Sequence, residues 1–293
     1  MRQFTAVVNP TAGGSSGTAS LLPVARLLRE AGAHLDTVYS RSLDHAKEIA
    51  RDAGARGHVV LAVGGDGMAG TVGGALSGTD TVFGLVPAGR GNDFARALGL
   101  PTDPEGLAKV LLDAGPRAVD TIEVASAVHE RTHVLGSVYA GVDAVANRHA
   151  NHSRLLRGAA SYYVGGARAV LAWKPAAYRI TIDGELHERT GYTVVVANSG
   201  FYGFGRNVAP GARVDDGLLD VVVIKQAPKR LFFAMMNELK TGAHVRRPQI
   251  EILRGARVRV EADRALPYGA DGEVDASLPV TLTVCPAALK VLA

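Results

Sequence analysis

Five aspartates in glycine-rich settings carry most of the chemical promise of this 293-residue chain: Asp66, Asp271 and the trio Asp215, Asp216 and Asp220. Asp66 stands in Gly64-Gly65-Asp66-Gly67-Met68, directly after the apolar run Val59–Val63. Glycines there remove the Cβ atoms that would hold a ligand off the backbone, and the amides opening a following helix suit phosphate oxygens. Asp66 is the only acid in that turn, placed to hold Mg²⁺ or to orient a phosphate through water. Taken alone, such a turn is as readily a plain strand–helix connection. The trio lies in Pro210-Gly-Ala-Arg-Val-Asp215-Asp216-Gly-Leu-Leu-Asp220, where clustered carboxylates and turn carbonyls suit a hard cation such as Mg²⁺. An ordinary Asp-Gly turn explains it equally well. Asp271 lies in Tyr268-Gly-Ala-Asp271-Gly-Glu273, which by itself resembles any hairpin. No zinc site is expected of the histidines.

Two further loops follow apolar runs. Val82–Val86 leads into Pro87-Ala88-Gly89-Arg90-Gly91-Asn92-Asp93-Phe94, with Asn92 and Asp93 suited to cap a helix through Leu98. Phe4–Val8 leads into Asn9-Pro10-Thr11-Ala12-Gly13-Gly14, which lacks the GK[ST] ending of a P-loop. Open α/β sheets place ligands at such carboxyl ends of parallel strands. A fourth glycine-rich loop, Asn198–Gly205, carries aromatics and either lines an apolar cleft or packs against the other lobe.

The elements that must position these loops alternate at first. Apolar spacing predicts helices over Leu21–Ala31, Leu43–Ala55 and Met68–Leu76, between strands at Phe4–Val8, Leu35–Tyr39, Val59–Val63 and Val82–Val86. This is the pattern of a parallel sheet with crossover helices. After Pro116 strands dominate: Thr121–Ala125, Val134–Tyr139, Arg179–Ile182, Thr193–Ala197, Leu218–Ile224, Val258–Ala262 and Val280–Val284. Helical interludes are expected near Asp143–His149, Ala159–Ala172 and Lys229–Lys240. Many strands with few crossovers indicate an antiparallel sandwich. The expected architecture is therefore two lobes, α/β over 1–124 and all-β over 125–293, with the active site in the cleft and the extreme C-terminus able to pack back on the first lobe.

Composition agrees with a globular protein: 47% hydrophobic and 20% charged residues. The single cysteine, Cys285, excludes an intramolecular disulfide and fits a reducing compartment. Phe4–Val8 is too short for a signal-peptide core, and no apolar run approaches the ~20 residues of a membrane-spanning helix. The expectation is a cytoplasmic protein. Charge is uneven, with 11 Lys/Arg against 13 Asp/Glu over 1–124 and 21 against 15 over 125–293. Basic residues gather at Arg148, Arg154, Arg157 and Arg168, and again at Lys240, Arg246 and Arg247. A positive second lobe suits an anionic membrane surface, or is simply solvated. With aromatics at 5%, no stacking platform for nucleic acid is visible.

Together these segments resemble the bacterial diacylglycerol kinase-like lipid kinases, which share a catalytic domain with diacylglycerol and sphingosine kinases. The resemblance runs nearly end to end and rests on the joint order of Asn9-Pro10 with Gly13, the GGDG turn, Pro87–Arg96, Pro210–Asp220 and Asp271-Gly-Glu273. It implies ATP between the lobes and transfer of phosphate to a lipid hydroxyl. Asn9, Pro10, Ala12, Gly13, Ser40, Gly64, Gly65, Asp66, Gly67, Met68, Gly89, Arg90, Asn92 and Asp93 would line the nucleotide. Asp271 would be the general base, with Asp66 the alternative, and Asp215, Asp216 and Asp220 would hold Mg²⁺. A lipid alcohol, a peripheral anionic membrane and a symmetric homodimer are the partners it suggests. Two positions depart from the pattern: Met68 replaces a threonine, and Arg90 stands where the loop usually has one. The competing expectations are NAD kinase-like phosphorylation of a soluble substrate and a catalytically weak nucleotide- or lipid-binding module.

Overall fold

The computed structural model describes residues 2–10, 16–126, 132–142, 144–145, 173–271 and 273–293. Ala12, Gly13 and the basic cluster from Arg148 to Arg168 lie outside these residues, as do all or most of the helices expected near 143–149 and 159–172. Strands β1 (Gln3–Val8), β2 (His34–Tyr39), β3 (Val59–Gly64) and β4 (Val82–Pro87) form a parallel sheet in the order β2-β1-β3-β4. The near-continuous apolar runs of β1, β3 and β4 are what burial on both faces requires, whereas β2 lies at the edge and is mostly exposed.

Alternate residues of β1 divide between those faces. Phe4, Ala6 and Val8 pack with Leu28 of α1 (Ser16–Glu30) and Leu111 of α5 (Pro104–Asp113). Val7 packs on the side of α2 (Leu43–Ala55), α3 (Asp66–Leu76) and α4 (Asp93–Ala97), with Ala46, Val72 and Phe94. Ser42 caps α2 by accepting the His45 amide at 3.1 Å, and Asp103 caps α5 by accepting that of Gly106 at 2.7 Å.

The second lobe is antiparallel. Its long strand β9 (Glu185–Ala197) pairs along its first half with β8 (Ala176–Ile182). Its second half lies between β7 (Ser137–Gly141) and β12 (Leu219–Lys225). Strand β14 (Arg257–Ala262) joins β8 to the final strand β17 (Val280–Leu292), and β13 (Ile250–Gly255) edges β12. Tyr178, Ile180, Val194, Val221, Val258 and Leu282 are among the buried side chains of the sandwich core.

Strand β17 connects the lobes. It runs antiparallel to β5 (Pro116–Ser126), and Lys290 and Val291 pair in parallel with Val82 and Phe83 of β4. Its register shifts between Cys285 and Leu289, where buried Asp120 accepts the Ala287 amide at 2.8 Å and the Gly217 amide at 2.7 Å. The single strand expected over Val134–Tyr139 is instead two, β6 (Thr132–Val134) and β7, broken at Leu135-Gly136.

Candidate active site

The carboxyl ends of β1, β3 and β4 lie side by side. In the order β2-β1-β3-β4, the sequence of strand connections switches sides between β1 and β3, the place where open parallel sheets form a crevice. Asn9 and Gly64 end the two strands that flank it. The β3 and β4 loops close on each other: the Ala88 amide donates to the Gly64 carbonyl at 2.8 Å, and a Cβ on Gly65 would stand 3.1 Å from the Gly89 Cα. Gly65 and Gly89 therefore owe their lack of side chain to this mutual approach. Gly67 is different, because a Cβ there would meet nothing within 4 Å. The first turn of the 11-residue helix α3 is open there, with the amides of a helix N-terminus, the kind of position that suits anions in general.

This contrast yields a first test. Gly89→Ala should lower stability by about 1–3 kcal/mol, because the new methyl overlaps Gly65 backbone. Gly67→Ala should leave chemical denaturation unchanged or raise stability by about 0.5 kcal/mol, yet weaken nucleotide binding measured by calorimetry.

Asp271 approaches α3 from the second lobe. Its Oδ2 accepts the Leu135 amide at 2.8 Å, and its Oδ1 accepts those of Gly136 and Ser137 at 3.0 and 3.3 Å. The break between β6 and β7 turns these amides toward the carboxylate. Asp271 itself adopts the left-handed region, φ 43°. Gly70 lets the carboxylate reach the helix, since a Cβ there would stand 2.7 Å from Oδ2. Gly70 is about one helical turn beyond Asp66, roughly 6 Å along the axis. Burial lifts the Asp271 pKa to about 6; the three amides oppose that lift, and the Asp66 charge adds to it.

Asp66 and Asp93 converge on Gly91, where a Cβ would lie 2.8 Å from Asp66 Oδ2 and 3.1 Å from Asp93 Oδ2. Asp66 Oδ1 accepts the Phe94 amide at 3.2 Å, so its carboxylate is directed at the start of α4. Burial raises its pKa, with the amides of Phe94, Asp93, Asp66 itself and Asn92 acting against the rise. Asp93 is lifted to about 6 by burial and by the Asp66 charge. Its Oδ1 accepts the Gly205 amide at 2.6 Å, tying α4 to the second lobe. Arg96 lies against Gly205 and over the Phe201 ring, 5.8 Å from its centroid. The aromatic loop Asn198–Gly205 thus packs on the other lobe through α4.

Residues 3–124 match the family model described as the diacylglycerol kinase catalytic domain. Residues 136–293 match the YegS C-terminal NAD kinase beta sandwich-like domain. The chain is 30% identical over 297 residues to a protein named diacylglycerol kinase from Mycobacterium tuberculosis, covering 99% of this chain and 94% of that one. It is 31% identical over 273 residues to "Probable lipid kinase YegS-like" of Chromohalobacter salexigens, covering 88% and 85%. A crystal structure of a diacylglycerol kinase from Bacillus anthracis str. Sterne superposes with a TM-score of 0.76, at 21% identity over 99% of this chain and 96% of that one; it bears on the fold. The chain belongs to the diacylglycerol kinase family.

Membership makes this kinase a phosphotransferase of the family and implies ATP use, usually with a divalent metal. The aspartates expected to hold a metal, Asp215, Asp216 and Asp220, are paired with arginines here. Asp215 pairs with Arg117 at 2.6 Å and with Arg213 at 3.4 Å, while Asp216 pairs with Arg254, which also reaches Asp220 at 3.4 Å. The adjacent turn residues Asp215 and Asp216 project toward different arginines, and Asp216 Oδ1 accepts the Leu218 amide at 3.2 Å. Among the described residues no three His, Cys, Asp or Glu side chains gather as a metal-ligand set.

Other positions of this kinase also serve differently from the expectation. Met68 is 3% exposed, and its side chain belongs to the core beneath α3 rather than to the phosphate space. Its amide closes the first turn onto the Gly65 carbonyl at 3.0 Å. Asn92 does not cap α4 with its side chain. It takes a left-handed conformation, φ 51°, and exchanges two bonds with Gly89: Oδ1 accepts that amide at 2.9 Å, and Nδ2 donates to that carbonyl at 3.1 Å. Ser40 is buried, and its hydroxyl donates to the Val8 carbonyl at 3.3 Å, bracing the end of β1. Arg90 and Pro10 are exposed at the loop rims.

The chain also contains His129-Glu-Arg-Thr-His133, a spacing that serves zinc when it lies on a helix. Thr132–Val134 is a strand, and His133 Nδ1 lies 3.2 Å from the Ser77 and Thr121 hydroxyls. Sequence reasoning did not find Leu135, Gly136 and Ser137, whose contribution is backbone amides. The Asn198–Gly205 loop stands out in the sequence for its aromatics, but not for Asn198, whose Nδ2 donates to the Leu135 and Asp120 carbonyls at 2.9 Å each and so steadies the Asp271 cradle.

Proposed function

We propose that this kinase transfers the γ-phosphate of ATP to the hydroxyl of a lipid alcohol such as diacylglycerol, with Asp271 as the general base. The observation that carries the reading is the Asp271 carboxylate, held by three amides against Gly70, which lies one helical turn beyond the GGDG aspartate, and lifted to about 6. A base of that pKa is largely ionised near neutral pH and still accepts a proton from an alcohol as its oxygen attacks. Orientation is the other requirement of phosphoryl transfer. Asn9, Pro10, Gly64, Gly65 and Gly67 supply backbone near the phosphates, while Met68, Ser40, Gly89 and Asn92 shape the loops from behind. Arg90, exposed on the β4 loop, is available to clamp a phosphate with its planar fork. Asp66, bound to the α4 amides, holds the two loops in register.

Names of similar proteins support the acceptor class: diacylglycerol kinase in one case, a YegS-like lipid kinase in another. A lipid acceptor also fits a peripheral encounter of the basic second lobe with an anionic membrane. Incubating the protein with ATP, Mg²⁺ and a panel of diacylglycerols, monoacylglycerols, sphingoid bases and polyprenols should yield one phosphorylated lipid by mass spectrometry. The resemblance of residues 136–293 to an NAD kinase beta sandwich supports a second reading, phosphorylation of a soluble dinucleotide. Formation of NADP⁺ from NAD⁺ with no lipid product would favour that reading instead.

A further inference from the structure

We propose that the helical segment around α6 (Phe232–Glu238) docks this protein onto a bilayer containing anionic phospholipid; the inference rests on the acceptor being a lipid. Met235 is buried, and Leu231 and Leu239 are partly buried, against Tyr139, Val195 and Val222 of the sheet, which seats one side of the helix. The opposite side presents Phe233, 69% exposed, and exposed Ala234. Exposed Lys229 and Arg230 precede the helix, and exposed Lys240 and Arg246 follow it.

Residues 225–250 contain six Lys or Arg and one acid, Glu238. That acid is clamped by Arg247, with Nε to Oε2 and Nη2 to Oε1 both at 2.6 Å. Lys225 also pairs with Glu251 at 3.2 Å, and the segment as a whole carries a net positive charge around an exposed aromatic ring. Cations attract anionic headgroups, and an exposed phenylalanine gains by entering the headgroup–acyl boundary. A soluble polyanion would use the charge and gain nothing from the ring's hydrophobicity.

The placement also suits a lipid kinase. The Leu239 carbonyl accepts the Asn207 amide at 2.7 Å, and the buried His244 Nε2 lies 3.0 Å from the Val208 carbonyl. Asn207 belongs to β11 (Arg206–Asn207), which pairs with β10 (Phe201–Tyr202). The Phe201 ring lies under Arg96 of α4, the helix that follows the β4 loop. A bilayer at α6 is thus linked to the cleft through a short run of packed elements.

The test is co-sedimentation of the full chain with phosphatidylcholine vesicles, with and without phosphatidylglycerol. Wild type should bind the anionic vesicles and release them in high salt. Lys229→Glu with Arg230→Glu should weaken that binding on the order of 30-fold, from ~1 kcal/mol for each basic residue lost at the surface. Phe233→Ser should weaken it about tenfold, from lost apolar burial. Both variants should keep the wild-type melting temperature and wild-type turnover of a short-chain diacylglycerol dispersed as monomers. Wild-type vesicle affinity in both variants would overturn the proposal, as would equal binding to neutral vesicles. Binding to heparin that matches vesicle binding and ignores Phe233→Ser would overturn it in favour of a polyanion surface. Should the protein phosphorylate no lipid, the acceptor reading fails while the vesicle measurement still decides the docking surface.

Discussion

Asp271→Asn is expected to lower turnover with lipid and ATP by ~10²-fold or more, the usual loss when a general base is removed. The amide cannot take the hydroxyl proton at any pH. Its oxygen can still accept the Gly136 and Ser137 amides, whereas its nitrogen faces the Leu135 amide, a donor against a donor. That mismatch costs about 1–3 kcal/mol, so thermal melting accompanies the assay to show that the variant is folded. The pH profile separates a base from a bystander. Since only the ionised carboxylate accepts a proton, wild-type kcat/KM should climb about tenfold per pH unit below about 6, then level off. The variant should lose the part of that limb that belongs to Asp271. Near-wild-type turnover in Asp271→Asn, together with a steep loss in Asp66→Asn, would transfer the base role to Asp66.

The first lobe was legible because its strands are buried on both faces and its loops are glycine-rich. Leu43–Ala55 is helical over the expected residues, and β2 begins one residue before the expected Leu35. In the second lobe, Ile250–Gly255 alternates Ile-Glu-Ile-Leu-Arg with partly exposed positions at an edge, leaving β13 without a strong apolar run. Pro267–Ala270 is too short and small-sided to signal β15. The candidate site divides the same way. Its acids were visible as acids, but the partners that tune them are backbone amides of Leu135, Gly136, Ser137, Phe94 and Gly205, which no side-chain pattern records. The glycines of α3 were legible as flexibility only. The structure explains Gly70, Gly73 and Gly74 by what stands where their Cβ atoms would be: Asp271, Leu135 and the His133 carbonyl. At the Asp215–Asp220 cluster, carboxylate spacing along the chain says nothing of the arginines that reach it from β5 and β13.

Asp93→Asn is expected to make the protein more resistant to urea near neutral pH while impairing its activity. The Asp93 carboxyl titrates at about 6 because burial and the neighbouring Asp66 charge both disfavour ionisation, against amide bonds from Gly205 and Gly203 and the Arg96 charge. In the unfolded chain an aspartate titrates near 3.9. Below about pH 4 both states are protonated and the group contributes nothing. Between about 4 and 6 the native state holds a proton that the unfolded state has released, so stability falls as pH rises; above about 6 the full penalty remains. A difference of about two pH units sets its ceiling at about 3 kcal/mol. Asparagine carries no charge, keeps an oxygen for the Gly205 amide and turns an N–H toward the Asp66 carboxylate at Gly91. Urea midpoints of variant and wild type should therefore coincide near pH 4 and diverge by pH 7.5, with the variant higher. A variant less stable at pH 7.5 would mean that ionised Asp93 gains more from Arg96 and the loop amides than it loses by burial. A buried acid that destabilises the resting fold at working pH is expected where a ligand needs the charge, so the gain in stability should coincide with weaker nucleotide binding.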